Sequence, residues 1–173
     1  MANELYTRTN QKLYFAGLAL EAWQAAEAAQ ALNAQTQIQA ARETALFHLY
    51  GALLGLCHEI AGYYRLPQAG AGRVEELLER AVLEAAPGPE LAELVELAED
   101  RHSWLAELLT AWRQLFEPPR EARKAKVDPS VAVIVAVEVG GAQPAAPDLA
   151  MLGDWQRQIR ALALRFRQGM SEW

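Results

Sequence analysis

Apolar residues recur at three- and four-residue steps along most of this 173-residue chain, the spacing of amphipathic helices. Proline and glycine clusters at 87–89 and 118–119 interrupt the pattern. The pattern predicts four long helices and one short one: about Glu4 to Leu32, Ala41 to Tyr64, Arg73 to Ala86 (the short one), Glu90 to Phe116, and Asp148 to Gln168. The expected fold is all-α, a single-domain helical bundle over residues 1–173.

The second predicted helix, Ala41–Tyr64, is apolar on nearly every side. A helix of this kind lies at the centre of a bundle or in a membrane. His48, His58 and Glu59 interrupt the apolar run, which disfavours a membrane span. We therefore expect this helix to be the central one, with the other helices packed around it.

Three glycines inside this helix predict the close approach of a neighbouring helix. Glycine costs about 1 kcal/mol relative to alanine in a helix interior, so Gly51, Gly55 and Gly62 require a structural reason. The simplest is packing against the small residues of the first helix: Ala19, Ala22, Ala26 and Ala29.

The connection over residues 118–147 departs from the helical pattern. A basic cluster is followed by Val131–Val139, which reads VAVIVAVEV and has the composition of a β-strand. Because no second strand is evident, this extended apolar segment could pack on the bundle, pair with its copy in a dimer, or bind a partner peptide. Its candidate contact residues are Val131, Val133, Ile134, Val135, Val137 and Val139.

Composition and charge narrow the classes of function. A chain that is 52% hydrophobic and 22% charged is globular rather than disordered. Its net charge of -6 gives no basic footprint, so nucleic acid is not an expected partner. The single cysteine, Cys57, fits a reducing compartment. With no signal-peptide pattern and no uncharged apolar run of about 20 residues, we expect a cytoplasmic protein without a membrane partner.

The histidines do not combine into a predicted metal site. His48 and His58 lie ten residues apart on one helix, about 15 Å along its axis, so they cannot share one ion. Glu99 and His102 match one Glu-x-x-His step of di-iron bundles, but such bundles need a second step and two further glutamates. No metal and no cofactor is therefore predicted.

One alternative function is action on nucleic acid. Arg42 and His48 have the loose Arg-x4–6-His spacing of the helical ribonuclease and nucleotide-binding domains. The two positions point about 120° apart on a helix, however, and such a spacing occurs readily by chance.

Another alternative is binding of a metal or small molecule. If the second and fourth helices are adjacent, His58 and Glu59 could meet Arg101 and His102 in a polar cluster. Such a cluster could mark a pocket. It could equally be a satisfied hydrogen-bond network that determines helix register.

Two stretches carry a family resemblance: RTNQKLYFA (Arg8–Ala16) and ALFHLYGALL (Ala45–Leu54). They resemble an uncharacterised bacterial all-helical family of unknown function, over most of the chain. The resemblance implies a helical fold and transfers no catalytic residue.

No complete set of catalytic residues is found in the sequence, so an enzymatic function is disfavoured. The predicted function is that of a non-enzymatic protein–protein interaction or adaptor module. Its contact surface would be Val131–Val139 or the apolar face of the fifth helix, and a homodimer is an open alternative to a different partner protein.

Overall fold

The computed structural model describes residues 2–118 and 145–171. Within these ranges the chain forms helices and short connections, with no strand, which confirms the all-α prediction. The helices are α1 (Ala2–Ala29), α2 (Ala34–Tyr63), α3 (Val74–Leu77), α4 (Arg80–Ala85), α5 (Pro89–Glu99), α6 (Trp104–Gln114) and α7 (Leu149–Ser171). The predicted segment Val131–Val139 lies outside the described residues.

The central position of α2 is confirmed. This helix packs against α1, α3, α5, α6 and α7. Leu46, Leu49, Leu53, Leu56 and Ile60 are almost completely buried along it. By length and composition alone α2 could cross a membrane, but 72% of its most apolar window is buried inside the protein, and the core helix of a folded bundle passes the same test.

The glycines of α2 allow α1 to pack closely against it, as the sequence predicted. A Cβ atom at Gly55 would lie 2.6 Å from Thr9 Oγ1, and one at Gly51 would lie 3.2 Å from Lys12 Cδ. A Cβ at Gly62 would lie 3.4 Å from Leu5 Cδ1, so the residues opposite the three glycines are Leu5, Thr9 and Lys12, and not the alanine row of α1. In that row Ala19 and Ala26 are buried, whereas Ala22 and Ala29 are exposed.

The end of α2 is determined by a hydrogen-bond motif that precedes Pro67. Arg65 has a positive φ of 55°. The Leu66 amide donates to Ala61 O at 2.8 Å, and the Arg65 amide donates to Gly62 O at 3.3 Å. This pair of bonds is a Schellman motif, with arginine where glycine is usual and with a buried Leu66 as the accompanying apolar contact.

The predicted helix Glu90–Phe116 is in fact two helices, α5 and α6. Asp100 Oδ1 accepts a hydrogen bond from the His102 amide at 3.0 Å, and Ser103 Oγ accepts one from the Ala106 amide at 3.0 Å. Asp and Ser side chains compete with the helical backbone for its hydrogen bonds, so these two residues end one helix and cap the next.

The predicted short helix Arg73–Ala86 is likewise divided, into α3 and α4. The Leu78 amide donates to Val74 O at the end of α3, and Glu79 has an extended backbone with φ -71° and ψ 137°. This extended residue separates the two helices. These two divisions correct the prediction of four long helices and one short one.

The last helix, α7, covers the open side of the α1–α2 pair. Asp148 caps it by accepting a hydrogen bond from the Met151 amide at 2.8 Å. Gln156 Nε2 donates to Leu13 O of α1 at 2.8 Å. The apolar face proposed as a contact surface is buried within this chain, and consists of Leu152, Trp155, Ile159, Leu162, Ala163 and Phe166.

Candidate interaction surface and adjoining cavity

A continuous run of six rings crosses α1, α2 and α6 on the outside of the bundle. Successive ring centroids lie 6.3, 5.2, 5.2, 6.0 and 5.0 Å apart. We call this run the aromatic surface, and its members in order are Tyr14, Phe15, His48, Phe47, Trp112 and Phe116. Tyr14 is 62% exposed, Phe47 50% and Phe116 71%, so large apolar side chains face solvent here.

The aromatic surface rests on a buried tyrosine. Tyr50 stacks on Trp112 at 4.2 Å with an angle of 9° between the rings. Its hydroxyl donates to Glu75 Oε2 at 2.9 Å and accepts from the Val74 amide at 3.1 Å. Burial, together with Glu75, raises the pKa of Tyr50 to about 12. Trp112 is thus held by a ring that is itself tied to α3.

His48 takes part in the aromatic surface as a neutral ring. It lies between Phe15 and Phe47, and its buried Nδ1 has no hydrogen-bond partner among the described residues. Burial lowers the pKa of His48, and the charge of Lys12 lowers it further. Lys12 Nζ lies 5.1 Å from the centre of the Phe47 ring. The surface is therefore apolar at neutral pH, with one cation at its edge.

Arg42 lies elsewhere, in a cavity of about 460 Å³ between α2, α6 and residues 146–147. Its guanidinium carbon lies 4.8 Å from the centre of the Trp23 ring. Trp23 is buried and donates through Nε1 to Glu27 Oε1 at 2.7 Å. Arg42 makes no hydrogen bond or ion pair with a described residue, and its Nε is buried without a partner. The cavity is lined by Gln39, Arg42, Glu43, Leu46, Ala111, Gln114, Leu115, Ala146 and Pro147.

Arg42 and His48, the pair considered for ribonuclease activity, have different surroundings. The Arg42 guanidinium lies over the Trp23 ring, whereas the His48 ring meets Phe15 and Phe47 edge-on. The two side chains therefore do not meet in one cleft. This separation agrees with their spacing, which places them about 120° apart on a helix.

The structure also separates the predicted cluster of His58, Glu59, Arg101 and His102. His58 Nε2 donates to Ala71 O at 2.7 Å, whereas Glu59 faces α1 and α7. Arg101 and His102 are exposed at the turn between α5 and α6. Because α5 ends at Glu99, His102 does not lie on a helix face directed at α2. Across residues 4–118 and 145–170, no three His, Cys, Asp or Glu side chains converge as metal ligands would.

Arg101 borders a second cavity of about 470 Å³, on the other side of residues 145–147. This cavity shares Ala111, Gln114, Ala146 and Pro147 with the Arg42 cavity. It is bounded on the far side by Asp148, Met151 and Trp155 of the α7 end. The two cavities therefore adjoin each other along α6.

Glu59 forms a buried ion pair with Arg167 of α7. Arg167 Nε and Nη2 donate to the two carboxylate oxygens at 2.8 and 2.7 Å. Thr9 Oγ1 donates to Glu59 Oε1 at 2.5 Å, and Arg167 Nη1 donates to Asn10 Oδ1 at 3.0 Å. The side chain of Glu59 is 0% exposed and that of Arg167 15%. We call Thr9, Asn10, Glu59 and Arg167 the buried polar cluster; it joins α1, α2 and α7.

Sequence reasoning missed both the aromatic surface and the buried polar cluster. The apolar spacing does not indicate that Phe47 and Phe116 are exposed. Nor does it distinguish Arg167, which pairs with Glu59, from the other arginines of α7. The only sequence signal for the cluster was a glutamate in an otherwise apolar helix, because a buried carboxylate requires a cation from another element.

These features define an all-α protein built around one apolar helix, with an external aromatic surface and a cavity that contains a stacked arginine. The chain belongs to DUF6586, described as a family of unknown function, whose family model matches residues 1–173. This match confirms the resemblance to an all-helical family of unknown function. No curated protein and no solved structure matches the chain.

Proposed function

We propose that this protein is a non-enzymatic protein–protein interaction module that binds its partner through the aromatic surface. The observation that carries the proposal is the contiguity of the exposed rings. Phe47 and Phe116 both contact Trp112, and each is at least half exposed. Exposed apolar patches with clustered aromatic residues are typical of protein interfaces.

The composition of the surface favours a partner that presents apolar side chains. Trp and Tyr are enriched among the residues that dominate binding energy, and Trp112 and Tyr14 lie within this surface. His48 is neutral at pH 7 because its pKa is lowered by burial and by Lys12. Lys12 at the edge suits a partner with a carboxylate beside its apolar contact.

The separate surroundings of Arg42 and His48 support the interaction reading over the ribonuclease reading. A catalytic pair must reach one reacting group, and these two side chains contact different rings. The hypothesis that Val131–Val139 contributes to binding, in a second copy or in another protein, stays a prediction from the sequence.

The experiment compares three immobilised baits: the wild type, Phe47→Ser/Phe116→Ser, and Leu164→Ser. Leu164 is the matched control, because it is 57% exposed on α7 and outside the aromatic surface. Proteins captured from a lysate of the source cells are quantified for each bait. Sedimentation velocity of each purified variant measures self-association in parallel.

We expect the double variant to lose a set of captured proteins, or its own self-association, by at least about tenfold, since central aromatic contacts are worth about 2 kcal/mol or more. The Leu164→Ser bait should retain them. Urea unfolding should show a stability change below about 1 kcal/mol for the double variant, because both rings are largely exposed. Capture and sedimentation that are identical for all three proteins would refute the proposal.

A further inference from the structure

The Arg42 cavity has the features of a ligand site that the aromatic surface does not use. None of the six rings of the aromatic surface lines it. Its volume of about 460 Å³ lies within the range of small-molecule pockets, about 300–1,000 Å³. The cavity is therefore a candidate small-molecule site that is separate from the aromatic surface.

The guanidinium of Arg42 is held by a ring and not by a carboxylate. Stacking on Trp23 at 4.8 Å restricts its plane, and Trp23 is itself held by its bond to Glu27. In contrast, Arg80, Arg165 and Arg167 each pair with a glutamate. Arg42 thus keeps its terminal N–H groups available in a protein whose net charge is -6.

The nearest carboxylate does not neutralise Arg42. Glu43 lines the same cavity, but it accepts a hydrogen bond from Gln39 Nε2 at 3.1 Å and makes no ion pair with Arg42. The buried Nε of Arg42 has no hydrogen-bond partner among the described residues. The guanidinium therefore lies at the cavity without a counter-ion in the described part of the chain.

The remaining walls suit a compact apolar body. Leu46, Ala111, Leu115 and Pro147 supply apolar surface, and Gln114 supplies an amide. A carboxylate matches the planar fork of a guanidinium, with two parallel hydrogen bonds to its terminal nitrogens. Ligand pockets commonly combine apolar walls with a few polar groups that orient the ligand.

We propose that the Arg42 cavity binds a small monocarboxylate with an apolar body, through the terminal nitrogens of Arg42. The carboxylate lies against the guanidinium, and the apolar body lies against Leu46, Leu115 and Pro147. Arg42 is then the binding residue of the cavity.

The test uses phenylacetate as the probe, phenylacetamide as its neutral counterpart, and inorganic phosphate as an anion without an apolar body. Isothermal titration calorimetry measures each with the full-length wild type, Arg42→Gln, Arg42→Lys and Arg160→Gln. Arg160 is the matched control, because it is an exposed arginine on α7 that makes no ion pair with a described residue. Circular dichroism verifies that each variant is folded, and Arg42→Lys keeps the charge at position 42 if Arg42→Gln unfolds.

We expect phenylacetate to bind the wild type and Arg160→Gln alike, and to bind Arg42→Gln at least about tenfold more weakly, because a charge-assisted pair is lost. Arg42→Lys should also bind more weakly, since lysine lacks the fork. Phenylacetamide and phosphate should bind the wild type at least about tenfold more weakly than phenylacetate. The proposal is overturned if phenylacetate does not bind the wild type, if either comparison ligand binds as well, or if neither change at position 42 weakens binding.

Discussion

Two regions of α2, its C-terminal end and its middle, have opposite surroundings. Near its C-terminal end, Glu59 is enclosed by α1 and α7, and both carboxylate oxygens are bonded to Arg167. In its middle, none of the described helices covers His48 and Phe47 fully, and His48 Nδ1 has no hydrogen-bond partner in the described ranges. The buried polar cluster is closed and satisfied, whereas the aromatic surface is open and apolar.

The two regions differ in their role. The buried polar cluster stabilises the fold, whereas the aromatic surface is the candidate for binding. A buried carboxylate must be paired, so the buried polar cluster specifies where α7 docks. Exposing an aromatic ring to water does not stabilise the folded state. A contiguous set of exposed rings is therefore the better candidate for a functional surface.

The largest effect is expected from breaking the buried ion pair on one side. Arg167→Met leaves Glu59 buried without its cation, which should lower the free energy of unfolding by about 3–5 kcal/mol. Urea unfolding measures it. The double variant Glu59→Met/Arg167→Met should recover much of the loss, because an apolar pair of similar volume often replaces a buried ion pair without penalty.

Arg157→Met is the control for that prediction. Arg157 pairs with Asp154 at 3.2 Å on the exposed side of α7, and such pairs contribute at most about 1 kcal/mol. Equal losses for Arg157→Met and Arg167→Met would show that the buried polar cluster has no special role in docking α7.

A smaller loss is expected from forcing α1 away from α2. The new methyl group of Gly55→Ala would lie 2.6 Å from Thr9 Oγ1, and Thr9 is bonded to Glu59. Overpacking of this kind typically costs about 1–3 kcal/mol in urea unfolding. Gly153→Ala on α7 is the control: its nearest neighbour would be 3.7 Å away, so alanine should stabilise the helix by about 0.5–1 kcal/mol. Both changes shifting stability in the same direction would contradict the prediction.

The smallest effect concerns the pH dependence of the aromatic surface. Because the pKa of His48 is lowered in the folded protein, the unfolded chain takes up the proton first as the pH falls below its usual value of about 6.5. The wild type should therefore lose stability on acidification from pH 7.5 to 5.0 more than His48→Gln does. Urea unfolding of both proteins at the two pH values checks this, and parallel losses would argue that His48 is not kept neutral by its surroundings.

Much of the helical plan could be predicted from the sequence, for identifiable reasons. The apolar run of α2 and its glycines predicted a central helix with a close neighbour, and both features are present. Helix breaks were harder to predict. Asp100 and Ser103 divide a helix through side-chain bonds to the backbone, a signal that the apolar periodicity on either side concealed.

The candidate sites could not be predicted, because they depend on which faces meet. Phe47 and Leu46 are adjacent apolar residues of α2, yet Leu46 is 1% exposed and Phe47 50%. Periodicity identifies an apolar face but does not say whether a neighbouring helix is long enough to cover it. Arg42 shows the same limit, since only the fold places Trp23 beneath it and a cavity beside it.

Local propensity and apolar spacing act within one element, so the helical character of the chain and the core position of α2 can be derived from the sequence. Tertiary structure alone decided that Glu59 pairs with Arg167, 108 residues later, and that Phe47, Trp112 and Phe116 share one exposed surface. The physical reason is that pairing of buried charges and coverage of apolar faces are properties of the packed helices together. They follow from how α1, α6 and α7 dock on α2, which no single segment specifies.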